Sequence, residues 1–261
     1  MKYSKLFFIV LFLLIIIAGC SSSVISDDQN KSETKELLIA AAASLTDVMD
    51  EVAELYEETH DVKLTFNFAG SGKLMQQIKQ GAPVDVFISA NENYLDLLIA
   101  EGFIKEETRE NITGNKLVVI AHKDSTLTYK SFNDIDENNV QLVAIGNPES
   151  VPAGEYTETV LKKLGKWNRL ENKFVLAQDV RQVLTYVETG NADIGFVYKS
   201  DTLNSEKIKV LAEPNPTMHD SIVYPGALIA NSDKQKEGKE FLQFLLSNKG
   251  QEILSKYGFT K

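Results

Sequence analysis

Short apolar runs alternate along this chain with segments whose apolar residues recur at helical spacing, and that alternation restricts the fold more than any other feature. Residues 37–41 read as a buried strand. The helix after them carries Leu45, Val48, Met49, Val52, Leu55 and Tyr56 along one face. Further strands are expected at 62–68, 84–89, 117–121, 142–145, 173–177, 194–198, 208–211 and 222–230. Helices are expected at 74–79, 93–100, 155–164 and 179–189, with one helical segment over 236–256. No internal repeat is present. Strands alternating with helices imply an α/β protein with parallel sheets covered on both faces. Ligands of such sheets sit where strands end and helices begin. Four of those junctions stand out: Ser44, Gly70 to Gly72, Val151 to Gly154, and Asp179-Val180.

The second junction lies in FNFAGSGKLM, residues 66–75, where a strand passes through Gly70-Ser71-Gly72 into a helix. Glycines allow a sharp turn and a close backbone approach. The first turn of a helix points unpaired N–H groups and a partial positive charge outward, a ready seat for an anion. The phosphate loop of nucleotide hydrolases is excluded, because Asn67 stands where its first Gly is needed and Leu74 where Ser or Thr would hold magnesium. A nucleophile elbow would need Gly at positions held by Ala69 and Lys73. Each junction also has an ordinary explanation. Ser44, with Asp47 three residues on, approximates a capping box; Tyr198 suits a half-buried strand end; Val180 suits a core.

The first 36 residues have a different composition. Lys2 and Lys5 precede twelve apolar residues, 6–17, and then Ala18-Gly19-Cys20-Ser21. That is the layout of a secretion signal, and the run is short of the about 20 apolar residues of a spanning helix. The stretch around Cys20 resembles the bacterial lipobox, with Ile17 where Leu is commoner; the resemblance implies a signal peptide over 1–19 and a lipid on Cys20, the chain's single cysteine. A lone cysteine makes no internal disulfide. Residues 20–36, rich in Ser, Asp, Asn and Lys, read as a flexible tether. Without Lys2 and Lys5 the 27 basic residues become 25 against 37 acidic ones, a net −12. Such a surface argues against nucleic acid and against long-range attraction of an anion, so local dipoles would have to hold one.

Read in order, several segments resemble the molybdate-binding proteins that serve ABC importers. They are AAASLTDVMDEV at 41–52, FAGSGKL at 68–74, GAPVDVFISA at 81–90, GNKLVVIA at 114–121, GNPESVPAGEY at 146–156, QDVRQVL at 178–184, ADIGFVYKSD at 192–201 and KYGF at 256–259. The likeness covers the chain from about residue 37 to its end without large gaps. It implies a two-lobed periplasmic-binding-protein-like (type II) fold: two mixed sheets flanked by helices, with a two-segment hinge near Asn115-Lys116 and Tyr224-Pro225. Lobe 1 would take residues 37–115 and 226–261, and lobe 2 residues 116–225. The family's ligand-binding positions fall on Ser44, Ser71, Ala153, Val180 and Tyr198. Gly70 and Gly72 flank Ser71 where the family often has a run of serines.

The resemblance further implies an extracytoplasmic lipoprotein on the outer face of the cell membrane of a Gram-positive bacterium, acting as a monomer. It would capture molybdate or tungstate and deliver it to an ABC permease and its ATPase. No cofactor, enzymatic activity or directly coordinated metal is implied. The chemistry agrees. Such ligands are tetrahedral dianions that accept hydrogen bonds and donate none, so a selective site offers donors and avoids carboxylates. Ser44, Ser71 and Tyr198 offer hydroxyls; Ala153 and Val180 have only backbone N–H to offer. Arg181 reads as a lobe or partner contact. Two alternatives remain. One is a binder of sulfate or an organic acid, the latter usually calling for a basic side chain. The other is an enzyme using Ser44 or Ser71, although His60, His122 and His219 form no recognisable triad pattern.

Overall fold

The computed structural model of the protein describes residues 35–261. The signal-peptide and Cys20 readings, and the tether up to residue 34, lie outside the described residues. Lys35 and Glu36, read as the end of the tether, instead begin the first strand.

Two five-stranded sheets form the frame. The first is built from β1 (Lys35–Ala42), β2 (Val62–Ala69), β3 (Val86–Ile88), β4 (Glu110–Asn115) and the late strand β10 (Ile222–Leu228), in the order β2-β1-β3-β10-β4. The second holds β5 (Leu117–His122), β6 (Val143–Gly146), β7 (Phe174–Ala177), β8 (Ile194–Tyr198) and β9 (Ile208–Ala212), in the order β7-β6-β8-β5-β9. Each sheet is mixed in the same way. Three neighbouring strands run parallel, and the fourth runs against them: β10 against β3, and β5 against β8. The chain passes to the second sheet at Lys116 and returns before Ile222. All of β10 pairs in the first sheet, so residues 222–225, read from sequence with the second lobe, belong to the first sheet.

The helices follow the strands: α1 (Thr46–Glu57), α2 (Ser71–Lys79), α3 (Glu92–Ala100), α4 (Pro152–Lys163), α5 (Trp167–Leu170), α6 (Val180–Glu188), α7 (Gln235–Leu246) and α8 (Asn248–Lys256). Strand alternation sorts the first sheet's side chains to two faces. Ile39, Val86 and Ile88 pack with Val48, Val52, Tyr56 and Phe241 from α1 and α7. Ala40 and Phe87 pack on the other face with Leu74, Ile78, Leu95 and Leu98 from α2 and α3. Each large apolar side chain so buried contributes about 1.5–3 kcal/mol relative to leaving it in water.

Three differences from the sequence reading have local causes. The helix expected over 236–256 breaks at Ser247, whose extended backbone ends α7 and whose hydroxyl accepts the Gly250 N–H to start α8. Strand β4, ENITGN, has too little apolar content to announce itself and is held as a sheet-edge strand by β10. The capping box at Ser44 does not form: a tight turn, Ala43–Leu45, precedes α1, and no side chain caps that helix.

Candidate oxyanion site

The C-terminal ends of β1, β2, β6, β7 and β8 bring Ser44, Ser71, Ala153, Val180 and Tyr198 around one hollow. Among the described residues, this hollow holds all five positions singled out from sequence. It is small, with room on the scale of a single water molecule and far short of a sugar or amino acid. A larger cavity of about 610 Å³ runs along β4 and the start of β10, but it contains none of the five and mixes Lys116 and Lys261 with Glu213. The small hollow has the more coherent chemistry.

Local sequence explains how each group arrives there. Ser44 sits in the turn between β1 and α1. Ser71 opens α2 directly after Gly70. Ala153 is the second residue of α4, following Pro152, which suits a first helical position. Val180 opens α6 behind Asp179, whose carboxylate accepts the Gln182 N–H at 2.9 Å. The N–H groups of Ala153 and Val180 are therefore first-turn groups with no intrahelical acceptor. Several helix N-termini converge, and their dipoles favour negative charge.

Two close approaches set the geometry. At Gly154, a Cβ would meet the Gly146 carbonyl oxygen at 2.0 Å, so α4 can lie directly on β6. At Gly72, a Cβ would come within 2.8 Å of both Cα and O of Ser150, and the Gly72 N–H donates to that oxygen at 3.0 Å. Gly70 is hemmed in likewise by the Gln178 carbonyl at 2.8 Å. Serines in these two places would collide with the facing backbone. The glycines that depart from the family's serine run thus belong to this chain's close approach of α2 to the 147–151 loop.

The hydroxyls differ in what they already do. Ser71 Oγ accepts the Ala90 N–H at 3.0 Å. Ser44 Oγ lies 2.8 Å from Tyr224 Oη. Tyr198 Oη is buried with no hydrogen-bond partner among the described residues, and burial holds its pKa well above 10, so it keeps its proton. Among the described residues, no carboxylate, imidazole or amide side chain lines the hollow. Beside this set, Asp201 accepts the Tyr198 N–H at 3.0 Å. Burial raises its pKa to about 7, against the lowering effects of Arg181 and of that hydrogen bond.

Arg181 does not line the hollow. Its guanidinium grips both carboxylate oxygens of Asp47, at 3.0 and 3.2 Å, joining α6 to α1. Asn91 Nδ2 bonds Glu155 at 2.8 Å and makes a second tie of this kind. Sequence reasoning missed Asn115, Tyr224 and Ala90 as partners of the site. Each meets its partner across a long stretch of chain and carries no local pattern.

The bacterial extracellular solute-binding protein family matches residues 37–260. A Bacillus subtilis (strain 168) chain, provisionally named the ABC transporter substrate-binding lipoprotein YvgL, is 40% identical over 219 residues, covering 84% of each chain. The molybdate-binding protein ModA of Escherichia coli (strain K12) is 37% identical over 223 residues, covering 84% of this chain and 86% of its own. The solved periplasmic molybdate-binding protein of Azotobacter vinelandii superposes with a TM-score of 0.78 over 86% of this chain and 99% of that one. At 22% identity that last likeness establishes the fold, a two-lobed periplasmic-binding-protein architecture. With the family matched from residue 37 to residue 260, the chain belongs to the bacterial extracellular solute-binding proteins.

Proposed function

We propose that this protein captures molybdate, and by the same chemistry tungstate, between its two lobes and delivers it to an ABC permease with its ATPase. The observation that carries the proposal is a small hollow at converging helix N-termini, with hydroxyls around it and no carboxylate side chain. The molybdate-binding name of a relative 37% identical over most of both chains adds support. In this reading Ser44, Ser71 and Tyr198 donate through hydroxyls, and Ala153 and Val180 through backbone N–H. Hydrogen bonds to a charged partner contribute about 1.5–3 kcal/mol each, so a handful offsets the dehydration of a dianion without an arginine. The lobes would close about the crossovers at Lys116 and before Ile222. Cys20 would carry the lipid that keeps a monomeric protein on the outer face of the cell membrane, as the lipoprotein name of the Bacillus relative suggests.

Isothermal titration with molybdate, tungstate, sulfate and phosphate tests the proposal. One-to-one binding of molybdate or tungstate, with sulfate and phosphate far weaker, is expected. Sulfate bound as tightly as molybdate would reject the assignment of ligand.

A further inference from the structure

A chain of hydrogen bonds runs from Ser44 away from the hollow. Asn115 ends β4, one residue before the chain crosses to the second sheet. Its Oδ1 accepts the Lys116 N–H at 2.9 Å and lies 3.5 Å from the Ser200 nitrogen, which also donates to it. These backbone donors fix the amide's orientation. Nδ2 therefore faces the other way, where it donates to Ser200 Oγ at 2.8 Å and to Tyr224 Oη at 3.3 Å. Tyr224 is fully buried, and burial holds its phenol well above 10, so the oxygen carries its single proton. Asn115 engages one lone pair of that oxygen, and Ser44 Oγ at 2.8 Å is the neighbour able to accept the phenolic proton; either oxygen could donate in that contact, and the relay takes Tyr224 as the donor. Ser44 then accepts from Tyr224, and its own proton is left for the hollow. Ser71 reaches the same condition by a different route, accepting the Ala90 N–H.

We propose that Asn115 and Tyr224 are positioning residues that set specificity: they hold Ser44 as a donor toward the hollow, so that the site accepts a fully ionised tetrahedral oxyanion and rejects one that still carries a proton. This rests on the oxyanion reading above. Neither residue lines the hollow. An anion such as hydrogen phosphate brings an O–H that needs an acceptor, and a buried donor without one is costly. Ser44 and Ser71 each already have one of two lone pairs engaged, by Tyr224 and by the Ala90 N–H, which leaves them poorer acceptors for that proton. Tyr198 could accept that proton only by leaving its own unpaired.

Tyr224→Phe keeps the ring and deletes the relaying hydroxyl; Asn115→Ala removes the donor upstream of it. Titrating wild type and both variants with molybdate, sulfate and phosphate separates orientation from general damage. Loss of one oriented hydrogen bond should weaken molybdate and sulfate on the order of tenfold each. Phosphate should weaken less, because Ser44 regains an accepting role, so the phosphate-to-sulfate affinity ratio rises by about the same factor. A ratio that stays at its wild-type value overturns the inference, whether all three anions weaken together or none does. If Asn115→Ala fails to fold, Tyr224→Phe decides. A wild-type chain that takes up no molybdate overturns the function proposed above, and the phosphate-to-sulfate comparison still judges the relay separately.

Discussion

Tyr198 is a buried residue that lines the hollow. It sits at the end of β8, edge-on to Tyr224 with ring centroids 5.9 Å apart, and its hydroxyl bonds nothing among the described residues. An unpartnered buried hydroxyl costs about 1–3 kcal/mol, so its removal should not harm the ligand-free fold. Tyr198→Phe is expected to melt at or slightly above the wild-type temperature without ligand. Its molybdate affinity should drop roughly 10- to 100-fold, the worth of one hydrogen bond to a charge. Calorimetry and a melting curve check both halves, and undiminished binding would remove Tyr198 from the site. Sequence showed some of these groups and hid others. Ser44, Ser71 and Tyr198 were visible as hydroxyls at strand–helix junctions or a strand end. Ala153 and Val180 entered only by resemblance, since a backbone N–H has no residue signature. Tyr224 and Asn115 were read from sequence only as hinge positions; their contacts behind Ser44 were not visible, because those depend on how β4 and β10 pair.

At the scale of elements, the site is a meeting of helix starts, and α6 allows a clean test of one. Val180 is its first residue, and Asp179 before it is extended, with φ −158° and ψ 172°. Proline is accommodated at a first helical position and prefers an extended predecessor. Val180→Pro should therefore preserve α6 while deleting the N–H offered to the hollow. We expect at least about a tenfold loss of molybdate affinity for Val180→Pro, with Val180→Ile much closer to wild type. Circular dichroism would verify the helix in both. Equal binding by the two variants would show that the N–H is not a donor. Element types were legible where apolar period and length were strong, as in α6, with Val180, Val183, Leu184 and Val187 all inward. They were less legible where a single backbone torsion decided, as at Ser247, or where a polar strand owed its form to a neighbour, as in β4.

For the whole molecule, the issue is how closely the halves approach. Gly72 donates to the Ser150 carbonyl at 3.0 Å, Arg181 bonds Asp47, and Asn91 bonds Glu155, each tie joining an element of one sheet's half to one of the other's. Gly72→Ala would place a methyl 2.8 Å from the Ser150 backbone, a contact that only separation of the halves relieves. Alanine is also the better helix former, by roughly 0.8–1 kcal/mol in a helix interior, so α2 itself should not suffer. The expected result is a ligand-free melting temperature near wild type, with molybdate affinity lowered on the order of tenfold or more. X-ray scattering should show less compaction on adding molybdate than wild type shows. Wild-type affinity in Gly72→Ala would mean that this close approach has no part in binding.

The chain's alternating apolar patterns, its glycine turns and its serines at strand ends were written in local sequence, because periodicity and backbone freedom act over a few residues. They specified an α/β protein whose helices open directly after strand ends. Whether those junctions meet, which hydroxyls already have a hydrogen-bond partner in the protein, and why glycines flank Ser71 were decided by tertiary structure alone. Those properties arise from contacts between residues far apart in the chain, such as Ser44 with Tyr224 and Gly72 with Ser150. Such contacts depend on strand order and on the approach of the two halves, which no short stretch of sequence encodes.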